Sequence, residues 1–292
     1  MNIIITLFVF VLVLFLYLHI FFHIKVSDDL EVFEVSNLSK ERLEEVCDLR
    51  QPVTFYLNLD CFKNLYLDNV LETYSAFDIK LRDISAQNLD TELFLPVVLH
   101  KANTVLKENK NQQFYSESNK DFLLETSLHK TFCANDGFLR PPMLMNASYD
   151  YILGGINVTT PFRYDICYRN FFVVLDGSVS IKLTPPRNKK YLSPELDYDN
   201  FEFRSPINPW NVQEKYKNDF NKLKCLDVNL EKGQTIFIPA YWFYSIRFNS
   251  SNTTILNFKY RTYMNNMAIF PYIFKYYLQK QNIKHNIVSK IE

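Results

Sequence analysis

Two charged side chains that lie close together in the sequence give the clearest chemical signal. Arg163 and Asp165 are two residues apart, so on a β-strand both side chains point to the same face. A guanidinium is always protonated and has no lone pair for a metal, but it binds carboxylates well. We expect an ion pair between Arg163 and Asp165 in the protein interior, where further hydrogen bonds must offset the cost of desolvation. The alternative is that Arg163 extends to solvent and Asp165 is an ordinary carboxylate at a strand end.

A second segment supplies hydroxyl groups to the same place. Gly233 turns the chain into a strand, Pro239 ends the hydrogen bonding of that strand, and Trp242 seats the end of the sheet in apolar packing. Tyr244, two residues past Trp242, is then expected to point into the mouth of the β-structure. Its hydroxyl and that of Thr160 are the expected hydrogen-bond partners of the ion pair.

The elements that position these residues are mostly short strands. After residue 150, short apolar runs alternate with turn residues, which is typical of a β-sandwich or a jelly-roll barrel. Strands are predicted at 52–59, 77–83, 151–153, 171–175, 178–183, 225–230, 235–238, 244–248 and 254–260. Asp176-Gly177 indicates a hairpin. Helices are predicted near 40–46, where Ser39 is the expected N-cap, and at 93–106, 120–132 and in the tail.

The chain divides into four predicted parts: an N-terminal membrane anchor (1–25), a charged stalk with a short helix (26–50), the β-rich domain (51–264) and a helical tail (265–292). From Ile3 to Phe22 there is no charged residue, and about 20 apolar residues are enough to cross the hydrocarbon core. No small-residue cleavage site follows, so we expect an uncleaved anchor rather than a signal peptide.

Composition excludes several other functions. The net charge of zero argues against a general nucleic-acid partner. Motifs for phosphate, dinucleotide and serine-hydrolase sites are missing, as is the zinc-protease helix motif. The five cysteines have no zinc spacing and are expected to be buried free thiols. Of the five histidines, none lies between residues 130 and 284.

Parts of the sequence resemble a known family. The resemblance lies in Gly155 to Asp165, Asn170 to Gly177, Leu183 to Pro186 and Leu230 to Tyr244. Together these resemble the cupin-like JmjC group of iron- and 2-oxoglutarate-dependent protein hydroxylases, whose pattern is roughly T-P-x-H-x-D, N, G-x-K and P-P, then G-D-x-x-x-x-P-x-x-W-W-H. The resemblance implies a double-stranded β-helix, a jelly-roll fold, with flanking helices. It also implies Fe(II), held by two histidines and a carboxylate, and 2-oxoglutarate as the family's cofactors.

The sequence departs from that pattern at the positions that matter most. Arg163 and Tyr244 stand where the family has its two histidines, and only the carboxylate, Asp165, remains. Val179 stands where the family has the lysine that binds 2-oxoglutarate. Thr160 and Asn170 match pocket residues of the family. We therefore expect no metal and no cofactor in this chain, with Arg163 taking the place of the iron.

Three functions remain open at this point. The favoured one is a membrane-anchored, catalytically inactive member of the fold with a binding or scaffolding role. The first alternative is an active Fe(II)/2-oxoglutarate-dependent hydroxylase with altered ligands, such as Asp165, Tyr244 and a displaced His129. The second is a barrel that binds a small anionic ligand through Arg163.

The expected partners are a membrane and, through the tail, a further protein surface. The membrane is contacted by residues 3–22. The tail is rich in aromatic residues from 267 to 278 and in lysines after them. It is expected to pack on the core or to form a homodimer or another protein contact, with a position on the membrane as the alternative. Five N-x-S/T sequons slightly favour a lumenal location of this single-pass protein.

Overall fold

The computed structural model describes residues 2–36, 38–84, 94–108, 113–198 and 201–288, with side chains between residues 3 and 279 of these ranges. Within them the strands are β1 (Phe33–Val35), β2 (Val53–Tyr56), β3 (Asp78–Asp83), β4 (Phe94–Val98), β5 (Phe114–Ser116), β6 (Leu144–Gly154), β7 (Arg163–Tyr164), β8 (Arg169–Asp176), β9 (Ser178–Thr184), β10 (Glu195–Asp197), β11 (Glu202–Arg204), β12 (Leu226–Glu231), β13 (Gln234–Ile238), β14 (Phe243–Phe248) and β15 (Thr253–Thr262).

The helices lie mainly before and after the strand-rich part. They are α1 (Asn2–Ile24), α2 (Lys40–Asp48), α3 (Leu67–Tyr74), α4 (Leu99–Lys107), α5 (Lys120–Glu125), α6 (Leu128–Asn135), α7 (Lys189–Leu192), α8 (Lys217–Phe220), α9 (Tyr263–Ala268) and α10 (Phe270–Val288). Two turns of 3₁₀ helix occur at Asp60–Leu65, and single turns occur at Pro186–Asn188 and Glu214–Tyr216.

The described strands form two sheets that pack face to face. One has nine strands in the order β1-β2-β13-β8-β15-β6-β5-β3-β4, and the other has six in the order β10-β11-β7-β14-β9-β12. Helices cover the outer face of the nine-stranded sheet. The expected fold class, mainly β with flanking helices and one N-terminal apolar helix, is confirmed.

Strand β8 shows why the sequence forms this layered core. Its apolar residues run without a break because both faces of the strand are covered. Phe171 and Val173 point to the helices, into a core cluster that also contains Leu43 and Phe122. Phe172 lies on the opposite face, in the cluster between the two sheets.

The hairpin predicted at Asp176-Gly177 is wrong. Gly177 has φ +83°, so the chain does turn there. However, β8 pairs with β13 and β15, whereas β9 pairs with β12 and β14. The turn therefore carries the chain from one sheet of the sandwich to the other. In a hairpin, by contrast, the two strands that the turn joins would pair with each other.

Two predicted helices also differ from the structure. In the segment 93–106, of which residue 93 lies outside the described residues, Phe94–Val98 form strand β4 and the helix begins only at Leu99, because β4 pairs along β3. The segment 120–132 is broken into α5 and α6 at Ser127, whose φ of 58° is incompatible with a continuous helix. The remaining predicted strands correspond to β2, β3, β6, β8, β9 and β12 to β15.

The segment 26–50 is part of the domain rather than a stalk. Strand β1 pairs in parallel with β2, and Leu43 and Val46 of α2 are buried in the core under the nine-stranded sheet. Leu43 and Val46 are three residues apart, so they lie on one face of α2, and a solvent-exposed stalk would have no such buried apolar face. The predicted N-cap is confirmed, since Ser39 Oγ accepts a hydrogen bond from the Arg42 backbone N–H at 3.2 Å.

The N-terminal helix α1 contains one stretch, Ile3–Ile24, that is long and apolar enough to cross a membrane. Its side chains are mostly exposed, unlike those of a core helix. The part of the predicted tail, 265–292, that the structure describes consists of α9 and α10, and residues 289–292 lie outside the described residues. The expectation of buried cysteines holds for Cys47 and Cys167 but is wrong for Cys61 and Cys133, which are exposed.

Candidate functional site

A cavity of about 270 Å³ opens between the two sheets where the predicted site residues meet. Its wall carries both apolar side chains and an unusual number of charges. The charged residues that line it are Lys80, Arg82, Glu117, Asp150, Arg163, Asp165, Glu202 and Lys259. Four are basic and four are acidic, so the charges of the wall balance.

Strand register brings the central side chains together from the two sheets. In the six-stranded sheet, Tyr244 of β14 lies opposite Arg163 of β7. In the nine-stranded sheet, Lys259 of β15 lies opposite Asn170 of β8. Asp165 follows β7 directly, so its carboxylate extends between the sheets towards both pairs.

Asp165 is held by three side chains. Lys259 Nζ lies 2.9 Å from Asp165 Oδ1. The Tyr244 hydroxyl and the Asn170 side-chain amide both donate to Asp165 Oδ2, at 2.6 and 2.9 Å. Asn170 is itself fixed, because its side-chain oxygen accepts a hydrogen bond from Asn257 at 2.7 Å. Both carboxylate oxygens of Asp165 are therefore engaged by protein donors.

The charge of Asp165 is stabilised by these contacts. Burial alone would raise the pKa of Asp165, but Lys259, Tyr244 and Arg163 together hold it below its ordinary value. Burial would likewise lower the pKa of Lys259, and Asp165 reverses this and raises it. The pKa of Tyr244 is raised by burial and by the neighbouring carboxylate. The group consists of a carboxylate, an ammonium and a neutral phenol at neutral pH.

Arg163 belongs to a different ion-pair network. Its Nη1 donates to Glu117 Oε1 at 3.0 Å and to Glu202 Oε1 at 2.8 Å, and its Nη2 donates to Glu117 Oε2. Arg82 binds the same two carboxylates, at 3.0 and 2.9 Å to Glu202 and also to Glu117. The Tyr115 hydroxyl donates to Glu117 Oε1 at 2.6 Å. Two arginines and two glutamates thus form a closed charge-balanced cluster.

In this cluster too, burial and the neighbouring charges shift the pKa values of the side chains in opposite directions. Burial would raise the pKa of Glu117 and Glu202, but Arg163 and Arg82 lower both below the ordinary value. The pKa of Arg163 is raised, since Glu117 and neighbouring groups outweigh the effect of burial. All members of the cluster are charged at neutral pH.

The expected ion pair between Arg163 and Asp165 is wrong. The two side chains do line one cavity, as their spacing predicts, but Arg163 pairs with Glu117 and Glu202 while Asp165 pairs with Lys259. A guanidinium can bind two carboxylates at once through its fork of donors. The glutamates satisfy it more completely than a single aspartate, and the compact ammonium of Lys259 takes its place beside Asp165.

The remaining predicted positions have separate surroundings. Thr160 Oγ1 accepts a hydrogen bond from the Ile246 backbone N–H at 2.9 Å, so it joins its loop to β14 and does not reach the ion pair as expected. Val179 is buried in the apolar cluster between the sheets. No positive charge therefore occupies the position where the family has its 2-oxoglutarate lysine.

The donor set does not fit the iron site of the family. Of the three ligand positions, Arg163 has no lone pair and Tyr244 donates its hydroxyl proton to Asp165. No cluster of three or more His, Cys, Asp or Glu side chains suited to a metal exists among the described residues. His129 is not a substitute, since it lies on α6 with Nδ1 3.3 Å from the Leu123 carbonyl and does not line the cavity.

Sequence reasoning missed Lys259, Glu117, Glu202 and Arg82. A signal for Lys259 was present, because Asn257 and Lys259 alternate on one face of a strand that is otherwise apolar. A lysine on a buried face needs an acidic partner. The glutamates had no such signal, since they lie 46 and 39 residues away from Arg163 in the chain.

Comparison with known proteins agrees with this fold. A search of curated proteins finds no match to the chain. The model of the cupin-like domain family matches residues 71–266, which is more than half of the chain and contains every strand of the site. The match begins later than the predicted domain start at residue 51 and ends close to the predicted end at 264. The chain therefore belongs to the JmjC-like cupin family.

Proposed function

We propose that this protein is a catalytically inactive cupin-like protein, anchored in a membrane by α1, whose β-domain serves as a rigid binding or scaffolding module. One observation carries the proposal: Lys259 Nζ lies 2.9 Å from Asp165 Oδ1, where the single remaining family carboxylate would need to face a metal. An ammonium and a divalent cation compete for the same carboxylate lone pairs. The negative charge of Asp165 is therefore already neutralised by Lys259.

The Arg163 network supports the same conclusion. Arg163 lies at the first histidine position and is held by Glu117 and Glu202. Moving Arg163 aside would leave Arg82 to balance the charge of both carboxylates. Since removing one partner of a buried pair costs about 3–5 kcal/mol, rearrangement to admit a metal is strongly opposed.

The same contacts argue against the two alternative functions. An anionic ligand bound by Arg163 would have to displace Glu117 and Glu202, which already accept hydrogen bonds from both terminal nitrogens of the guanidinium. An oxygenase with altered ligands needs a histidine near Asp165, and none of the described residues that line the cavity is one. Fold retention without the metal chemistry favours a role in binding.

The proposal is tested by assaying the full chain, reconstituted in lipid nanodiscs, for turnover of 2-oxoglutarate with Fe(II) under air. We expect no turnover above that of the matched variant Asp165→Asn, which lacks the remaining ligand carboxylate. Turnover by the natural protein that the variant loses would overturn the proposal.

A further inference from the structure

One face of the C-terminal helices is apolar and exposed. Its members recur every three or four residues along α9 and α10, which places them on one side of the helices. We call it the outer stripe, and it consists of Tyr263, Met267, Phe270, Phe274, Tyr277 and Leu278. Met143 and Met145 of the neighbouring chain segment are also exposed. Asn266 of α9 contacts Met145 Sδ, so these methionines extend the stripe.

The opposite face of the same helices already packs on the protein. Ile269 is buried, and Tyr272 and Ile273 pack with it against a cluster that includes Phe203 and Tyr164. A surface helix normally presents polar residues to water on its outer side. A helix that is apolar on both sides, with one side exposed, indicates a surface that meets another apolar phase.

The position of α1 identifies that phase. Leu18 and His23 line a shared apolar cavity with Met143, Thr262 and Met264. The apolar stretch of α1 is 22 residues long and ends at Ile24. Leu18 to His23 corresponds to a rise of about 8 Å along the helix. The start of α9 therefore lies beside the last turns of the stretch that is proposed to cross the membrane.

Several side-chain contacts fix the end of α1 against the β-rich domain. The Arg50 guanidinium lies over the rings of Phe22 and Tyr168, at 4.8 and 4.6 Å from the centroids. The ring of His23 lies 5.1 Å from that of Tyr168. After the helix, the Trp242 indole donates a hydrogen bond to the Ser27 carbonyl at 3.2 Å. The domain cannot move away from the membrane without breaking these contacts.

We propose that the outer stripe lies in the headgroup region of the phospholipid bilayer that α1 crosses. The inference rests on the proposed anchoring by α1. Helices that lie in a membrane interface bury their apolar face about 5–10 Å below the headgroup boundary, and the overlap between α1 and α9 is of that size. Tyrosine is also a preferred side chain at this depth, which suits Tyr263 and Tyr277. The bilayer thus covers the face that the protein leaves open and fixes the orientation of the cavity.

The test places a tryptophan in the outer stripe and measures its quenching by brominated lipid. Phe274→Trp changes one exposed aromatic side chain for another, 53% exposed in the natural protein. The matched control is Tyr56→Trp, at a site that is 71% exposed. Tyr56 lies beside Gly233, whose backbone N–H donates to the Val174 carbonyl of β8. Tyr168, which contacts α1, immediately precedes the opposite end of that strand. The full chain is reconstituted in phosphatidylcholine vesicles with and without bromine on the acyl chains.

We expect brominated lipid to remove emission from the added tryptophan of Phe274→Trp and to leave that of Tyr56→Trp unchanged, each relative to the natural protein. Equal emission of Phe274→Trp in both lipids would overturn the inference. Quenching of the same tryptophan by aqueous iodide is measured at several protein-to-lipid ratios. If its shielding from iodide increases with the amount of protein per vesicle, a second copy of the chain covers the stripe, and the assignment to the bilayer is wrong. Extraction of the natural protein by alkaline carbonate is measured separately, because release would refute the anchoring rather than the stripe.

Discussion

The pairing of Lys259 with Asp165 makes a quantitative prediction about stability. Lys259→Met keeps most of the aliphatic stem and removes the ammonium that lies 2.9 Å from Asp165 Oδ1. The carboxylate, 14% exposed, then keeps only the hydrogen bonds from Tyr244 and Asn170. We expect the substitution to lower the free energy of unfolding.

The magnitude follows from burial. Removing one partner of a buried ion pair lowers the free energy of unfolding by about 3–5 kcal/mol. Lys259 is 29% exposed, so water partly screens the pair and the lower end, about 3 kcal/mol, applies. For a domain of this size, each kcal/mol lowers Tm by roughly 2–4 °C, so we expect a loss of roughly 6–12 °C.

A double variant separates charge from packing. Tyr244 and Asn170 both donate to Asp165 Oδ2, whereas Lys259 binds Oδ1. Asp165→Asn with its amide oxygen at the Oδ2 position keeps both hydrogen bonds and removes the uncompensated charge. Lys259→Met/Asp165→Asn should therefore be more stable than Lys259→Met alone, which is the non-additivity expected of paired groups.

The assay is urea denaturation of the full chain in mild detergent, followed by the fluorescence of its two tryptophans, of which Trp242 is fully buried. A free energy of unfolding for Lys259→Met within about 0.5 kcal/mol of that of the natural protein, as for an ordinary surface substitution, would exclude a stabilising ion pair. A double variant in which Asp165→Asn adds its own cost in full to that of Lys259→Met would exclude it as well.

Three further predictions concern the rest of the cavity and the core. Arg163→Met should lower the free energy of unfolding in urea by about 3–5 kcal/mol, because Glu117, 3% exposed, then keeps Arg82 as its one ion-pair partner beside the Tyr115 hydroxyl. Adding Glu117→Gln should restore part of the loss, and a cost near zero would contradict the network. Because the pKa of Glu117 is lowered from an ordinary 4.5, its contribution to stability is fully present above about pH 4.5 and is lost as the pH falls further, so acid titration should destabilise the natural protein more steeply than Arg163→Met/Glu117→Gln, and parallel curves would exclude the effect. Gly154→Ala should lower Tm, since its Cβ would lie 2.2 Å from the Phe248 ring; an unchanged Tm would show that the sheets separate easily at that end.

Local patterns predict the framework of this protein well and its charge pairing poorly. The longer strands from residue 151 onwards are readable because burial imposes apolar runs with turn residues between them, whereas the short strands β7, β10 and β11 are not predicted. Sheet membership is not local, which is why the Asp176-Gly177 turn is read as a hairpin although it joins two sheets. The segment 26–50 shows the same limit, since its charges suggest a stalk while Leu43 and Val46 are core residues.

The site shows the limit most clearly. The positions of Arg163, Asp165 and Tyr244 around one cavity follow from strand alternation and family spacing. The partner of each charge does not, because Glu117, Glu202 and Lys259 come from distant parts of the chain. Adjacent opposite charges invite the assumption that they pair, and only the fold shows that each has another partner.

Neutralisation of Asp165 by Lys259 should keep a divalent cation from binding at this carboxylate. Mn(II), a stand-in for Fe(II), is titrated into the full chain in nanodiscs, and the electron paramagnetic resonance signal of the free ion is followed, with Asp165→Asn as the control. We expect the natural protein and Asp165→Asn to leave the same amount of Mn(II) free. A stoichiometric loss of the free signal in the natural protein, absent in Asp165→Asn, would show that Asp165 is available to a metal.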